Sequence, residues 1–195
     1  MSFGRDSEAE RILSEYQRRA NEIPSDFYSL SRPVNLFFRH SQERAILRAL
    51  ITANRAPLKD ERILEVGCVQ GQWFSAFEAF GANPSNLAGI ELDPQRAQIC
   101  QQRSPFADIR TGDACKLPWD DQHFDLVFQS TVFTSILDAE VKRMLASEML
   151  RVLKPGGQVL WYDFQFNNTK NPNVRGVSRR EIFDLFPNCT VKFWR

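Results

Sequence analysis

Between residues 60 and 165, short apolar runs alternate with stretches whose apolar positions recur every three or four residues. Brief runs bounded by glycine, proline and acids predict buried strands, and the longer periodic stretches predict helices. Strands are predicted at 62–66, 87–91, 107–111, 125–129 and 158–164. Before the last of these, Val141, Leu145, Met149 and Val152 mark a helix over 138–153. Lys154-Pro155-Gly156-Gly157 has Pro and Gly where a type II turn needs them. Asp93-Pro94 supplies an N-cap and a first-turn proline for the helix after the second strand. Alternation of this kind predicts an α/β fold with a mainly parallel sheet and helices on both faces.

The flanks follow a different pattern. Ser7-Glu8-Ala9-Glu10 reads as a capping box opening a helix with Ile12, Leu13, Tyr16, Ala20 and Ile23 on one face. Pro24 breaks it, and the segment 24–40 mixes aromatics with polar residues before Ser41 caps a helix running through Arg55. We read 1–57 as an N-terminal helical segment and 58–195 as the core. The segment 24–40 is read as a lid, against the alternative that Phe27, Leu36, Phe37 and Phe38 simply cover the sheet. Ser178 caps a further helix, and Cys189–Trp194 reads as a sixth strand. No residues remain for a seventh, antiparallel strand, so the sheet is expected to keep an unfinished edge over which a second copy could pair.

Length and charge narrow the classes. A chain of 195 residues buries one real core, and a net charge of +1 leaves no electrostatic footprint for nucleic acid or a membrane. No apolar run approaches the ~18 residues of a membrane span, and the polar start MSFGRDSEAER is unlike a signal peptide. Cys68, Cys100, Cys115 and Cys189 lack metal-ligand spacing, and scattered cysteines of this kind fit a reduced, cytoplasmic protein.

The chemistry is carried by the ends of the strands. RILEVGCVQGQW, residues 62–73, is a strand running into a tight turn around a ligand and then a helix, with Glu65, Gly67 and Gly71 at the bend. The second strand ends in Glu91, placed to accept hydrogen bonds from two ribose hydroxyls.

Four segments in order, LEVGCVQG, AGIELDP, GDACKLPWDDQHFDLVFQS and EMLRVLKPGGQVLWYDF, resemble the class I S-adenosylmethionine (SAM)-dependent methyltransferases of the small-molecule branch. The resemblance covers about residues 60 to 165 and implies a Rossmann-like sheet with SAM as cofactor. It implies that Glu65, Gly67 and Gly71 embrace the methionine end, that Glu91 takes the ribose, that Asp113 and Ala114 read the adenine, and that Leu92 also lines the cofactor. Gln129 and Ser130 are then expected beneath the cofactor, near the reaction site. The implied activity is methyl transfer to a small molecule, with a hydroxyl oxygen favoured as acceptor. The alternative is a methyltransferase-like domain that has lost SAM and serves as a partner or scaffold.

A hydroxyl acceptor needs a base. Many relatives carry histidine after the fourth strand, where this chain has Val132-Phe133-Thr134-Ser135. Asp163, His40 and Tyr28 are the remaining candidates, although Asp163 could instead hold a loop and His40 could cap a helix. The amide-rich loop after the fifth strand offers Asn167, Asn173 and Arg175 to a substrate, or its amides simply serve turns. Val69 stands where the resembling family has its middle glycine. We expect it to keep ordinary backbone angles and to point into the strand–helix packing.

Overall fold

The computed structural model describes residues 3–24 and 26–194. Five strands, β1 (Ile63–Val66), β2 (Leu87–Glu91), β3 (Asp108–Thr111), β4 (Phe124–Ser130) and β5 (Leu153–Tyr162), form one sheet in the order β3-β2-β1-β4-β5. All four pairings are parallel. The helices are α1 (Phe3–Glu22), α2 (Pro33–Thr52), α3 (Phe74–Ala79), α4 (Pro94–Arg103), α5 (Val132–Ser135), α6 (Ala139–Arg151) and α7 (Arg179–Leu185).

Period-two alternation sorts the strand residues between two cores. Leu64, Val66, Ala88, Ile90 and Val127 face α6 and α7. Ile63, Leu87, Leu126 and Phe128 face α2, α3 and α4. The central strands β1 and β2 are buried throughout, as parallel strands covered on both faces must be. Asp93 caps α4 by accepting from the Gln95 and Arg96 amides, and Ser178 caps α7 by accepting from that of Glu181.

The structure corrects several local expectations. β5 begins at Leu153, ahead of the Pro-Gly turn: the ladder passes from Phe124↔Leu153 to Leu126↔Gln158, so 154–157 bulge out. Gly156 takes φ +77°, as the third position of a type II turn requires. Helix α1 starts before Ser7, whose hydroxyl donates to the Gly4 carbonyl within the helix. The Ser7–Glu10 capping box does not form, because Ser7 already lies inside the helix; the buried Glu8 carboxylate separately accepts from Arg11 and from the Leu137 amide. Ser41 is no cap either. Helix α2 starts at Pro33, a residue preset for the first turn, and the Ser41 hydroxyl bonds back to the Phe37 carbonyl. His40 therefore lies inside a helix and caps nothing.

Residues 189–194 form no strand. Side chains rather than a backbone ladder hold them: Phe193 meets Trp161 of β5 edge-on at 5.5 Å and Phe183 at 5.7 Å. Among the described residues the sheet has no antiparallel strand, and β5 is one of its edges.

Phe128 is fully buried, with Trp73 and Phe77 edge-on to it at 5.1 and 5.3 Å. Phe128→Ala should cost about 3–5 kcal/mol, read as a lower urea midpoint. A loss below ~1.5 kcal/mol would mean that the neighbouring rings collapse into the space.

Candidate cofactor site

Chain order reverses between β1 and β4, and the crevice outside the carboxyl ends of such a pair is where open α/β sheets bind ligands. Val66 pairs with Gln129 there, so the turn after β1 and the turn after β4 lie side by side. Gly67 has φ +70°, and a Cβ on it would stand 2.7 Å from Val132 Cγ2. Glycine is thus demanded both by the backbone angle and by the packing of the two turns. Gly71 has φ +75°.

Val69 departs from its expectation. Its φ is +50°, a left-handed conformation that costs an L-residue about 1–2 kcal/mol. The cause is visible at Glu91, whose carboxylate accepts from the Val69 amide at 2.9 Å and from the Asp93 amide at 3.1 Å. The strained turn aims its N–H groups at the end of β2. Burial raises the Glu91 carboxyl from its ordinary range, while those two amides pull it back.

Glu65 lies one pleat inside the crevice and is 2% exposed. Its Oε2 has no hydrogen-bond partner. Burial pushes its carboxyl well above the usual 4.5. An orphan acid at this place fits a ligand that brings positive charge.

Across the crevice a polar lock joins β4 to β5. Gln129 donates to Asp163 and accepts from the Val132 amide. Asp163 also accepts from the Thr134 amide and hydroxyl. Burial raises the Asp163 carboxyl, against the pull of those donors. Asp113, after β3, accepts from the Cys115 amide and lies 3.2 Å from Arg5 Nε, an ion pair without hydrogen-bond alignment. Ala114 packs on the core beside it, and Leu92 and Ser130 are half-buried.

Helix α1 lies over this edge. Arg5 reaches Asp113, Arg11 donates to the Ser135 carbonyl, and Glu15 accepts from Asn173. The Tyr16 ring stacks on Arg96 at 3.7 Å. One helix therefore touches the segments following β2, β3, β4 and β5. Sequence reasoning missed Arg5, Tyr16 and Thr134; the apolar face of α1 was legible, but nothing in it says which surface it meets. Within 24–40, residues 33–40 open α2, while Phe27, Phe37 and Phe38 are exposed rather than laid on the sheet. Ser25 lies outside the described residues.

The base candidates stand apart. Asp163 is in the β4–β5 lock. His40 sits on α2 beside a surface groove of about 480 Å³ lined also by Phe37, Glu43, Arg44, Leu47 and Phe80. The Tyr28 hydroxyl accepts from Arg19 and is exposed. In the loop after β5, Asn167 accepts from the Gly176 amide, Asn173 donates to Glu15, and Arg175 pairs with Glu181. These side chains hold the loop and α1 in place.

The family model for the methyltransferase domain matches residues 64–161. The chain belongs to that methyltransferase family. The cofactor of the family is SAM, and the residues at the crevice fit it, since the orphan Glu65 carboxylate can receive a cationic methionine end. Similar proteins include a phthiotriol/phenolphthiotriol dimycocerosates methyltransferase of Mycobacterium leprae, 33% identical over 141 residues, covering 67% of this chain and 51% of that protein. A Mycobacterium ulcerans counterpart is 35% identical with the same coverage. The chain thus spans about half the length of these relatives. In fold it is similar to a SAM-dependent methyltransferase from Methanosarcina mazei, with TM-score 0.60, 21% identity, and 70% of this chain and 83% of that one covered. One from Aquifex aeolicus gives 0.58 at 14% identity, with 78% and 83% covered. The Rossmann-like expectation holds, and no described helix is long and apolar enough to cross a membrane.

Two outcomes follow for the methyltransferase turn. Val69→Gly should stabilise the protein by about 1 kcal/mol, since the relieved left-handed strain exceeds the added chain entropy; a lower urea midpoint would show that the valine's packing outweighs the strain. Glu65 is raised in the folded state, so its carboxyl opposes folding increasingly as pH climbs above 4.5. Glu65→Gln should therefore melt higher than wild type at pH 7 without cofactor. The gap should close as pH falls towards 4.5 and below; a gap independent of pH would mean that Glu65 does not titrate in this way.

Proposed function

We propose that this domain transfers a methyl group from SAM to a small-molecule hydroxyl. The observation that carries the reading is the orphan Glu65 carboxylate beside the Gly67–Gly71 turn at the β1–β4 switch point. SAM supplies a methyl already activated on a sulfonium. The chain's part is to bind, orient and exclude water. Glu65 receives the amino end, Glu91 turns its carboxylate to the ribose hydroxyls, and Asp113 with Ala114 holds the adenine, Leu92 lying alongside. Gln129 and Ser130 form the floor. Helix α1 yields and recloses, with its links to four strand ends keeping solvent out. Asp163 is the base candidate at the sheet's carboxyl edge, and we give it the acceptor's proton ahead of His40 and Tyr28.

Two observations favour an apolar, lipid-like alcohol as acceptor. The similar mycobacterial proteins are named for phthiotriol and phenolphthiotriol dimycocerosates. The loop leaving β5 carries Phe164 and Phe166, 57% and 81% exposed, where an apolar acceptor could rest. We keep Asn167, Asn173 and Arg175 as the polar side of that acceptor site. A scaffold reading is supported by one feature: Val69 N–H occupies the Glu91 carboxylate that a ribose would need.

Calorimetry with SAM separates the two readings. We expect saturable binding, and a loss on Glu91→Ala of about 1.5–3 kcal/mol per hydrogen bond. We also expect methyl transfer in a panel of sugars, phenols, amines and long-chain alcohols to be greatest for the alcohols. Absence of SAM binding in the wild-type protein would establish the scaffold; transfer to amines alone would remove the hydroxyl.

A further inference from the structure

Arg39 is unusual among the arginines of α2. Its side chain is only 13% exposed, while Arg44 and Arg48 on the same helix are exposed. Its guanidinium lies 4.2 Å over the Trp73 ring, where the helix after the glycine turn begins. Nε donates to Glu43 Oε1 at 2.6 Å, and Nη2 donates to the Gln72 carbonyl. Nη1 has no partner among the described residues. The planar fork is thus held by Glu43, the Gln72 carbonyl and the Trp73 ring, with one nitrogen left over beside the residues that follow the glycine turn. On the inner side of the same turn Glu65 keeps an unpartnered, fully buried oxygen. The Arg39 charge is felt at Glu65, where it opposes the effect of burial. An unsatisfied acid and a part-used guanidinium flanking one glycine turn are complementary to a ligand that carries an ammonium and a carboxylate together, which is an α-amino acid end.

We propose that Arg39 is a cofactor-binding residue that clamps the α-carboxylate of SAM, opposite Glu65 at the amino group. This rests on the function proposed above and deepens it, adding a residue outside the strand-end motifs. It also gives α2 a role in the site. The Glu43 and Trp73 contacts preset the guanidinium, so that little side-chain freedom is lost on binding.

Decarboxylated SAM, which lacks the carboxylate and keeps the rest, provides the test. Affinities of both compounds are measured by calorimetry for wild type, Arg39→Gln and Arg39→Lys, with circular dichroism to verify the fold. Wild type should prefer SAM by tenfold or more. Arg39→Gln should weaken SAM by tenfold or more and leave decarboxylated SAM within twofold, so that the preference collapses. Arg39→Lys keeps the charge without the fork, and its preference should narrow; it carries the test alone if Arg39→Gln does not fold. Equal weakening of both compounds would reduce Arg39 to a structural tie between α2 and Gln72, and an unchanged preference would likewise overturn the assignment. Wild-type protein that binds neither compound would overturn the proposed function itself. Wild-type binding without a carboxylate preference would overturn only the role of Arg39.

Discussion

Parallel pairing of β1 with β2 on one side and β4 on the other is the constraint from which the remaining features follow. A parallel strand can be reached only by a crossover, so every carboxyl end emerges at the same edge and every helix must cover a face. Because the chain builds outward from β1 to β3 and then returns to β4, the turns after β1 and β4 separate in opposite directions, which opens the crevice. The geometry leaves little room: Gly67 exists where Val132 would otherwise collide with a Cβ. The same closeness places the Val69 amide on Glu91, at the expense of a left-handed valine.

Polar groups buried at that edge divide into two kinds. Gln129, Thr134 and Asp163 satisfy one another and tie β4 to β5. Lys142, 1% exposed, is paired with Glu181 at 2.7 Å and ties α6 to α7. Glu65 is different, since one of its oxygens has no partner. A buried, unmatched acid costs the folded protein free energy that a cationic ligand returns. Folding stability is in this way held back at the place where binding needs it, a pattern common to functional sites. In the proposed reading the ligand's carboxylate is met from outside the sheet, by Arg39 on α2.

Helix α1 shows how an element with no motif becomes part of such a site. Its partners are Asp113, Ser135, Leu137, Arg96 and Asn173, residues that follow four different strands and are gathered only by the sheet. Cover of this kind is made from side chains that meet loops, so it can open without breaking the sheet or either core.

How far the sequence could be read follows the range of the forces involved. Strands, their burial and the Asp93 and Ser178 caps were legible because short apolar runs, proline and capping residues act within a few positions. The parallel sheet and its edge of Gly67, Glu91, Asp113 and Gln129 followed from order and spacing alone. The starts of α1 and α2 were misplaced because Ser7 and Ser41 look like caps, whereas both helices begin earlier, at Phe3 and Pro33, and both hydroxyls turn back to carbonyls of the preceding turn. Residues 189–194 have strand-like composition but attach to β5 through Phe193 and Trp161. The angle of Val69 depends on where Glu91 stands, a residue that is distant in the chain and reached through the fold. By itself the sequence determined the architecture, which rests on local periodicity, and its four motif segments at the strand ends carried the resemblance that implied the cofactor. Only the tertiary structure decided which side chains are already satisfied and which, like Glu65 and Arg39, remain open to a ligand, because satisfaction is a property of distances between segments that the chain brings together only on folding.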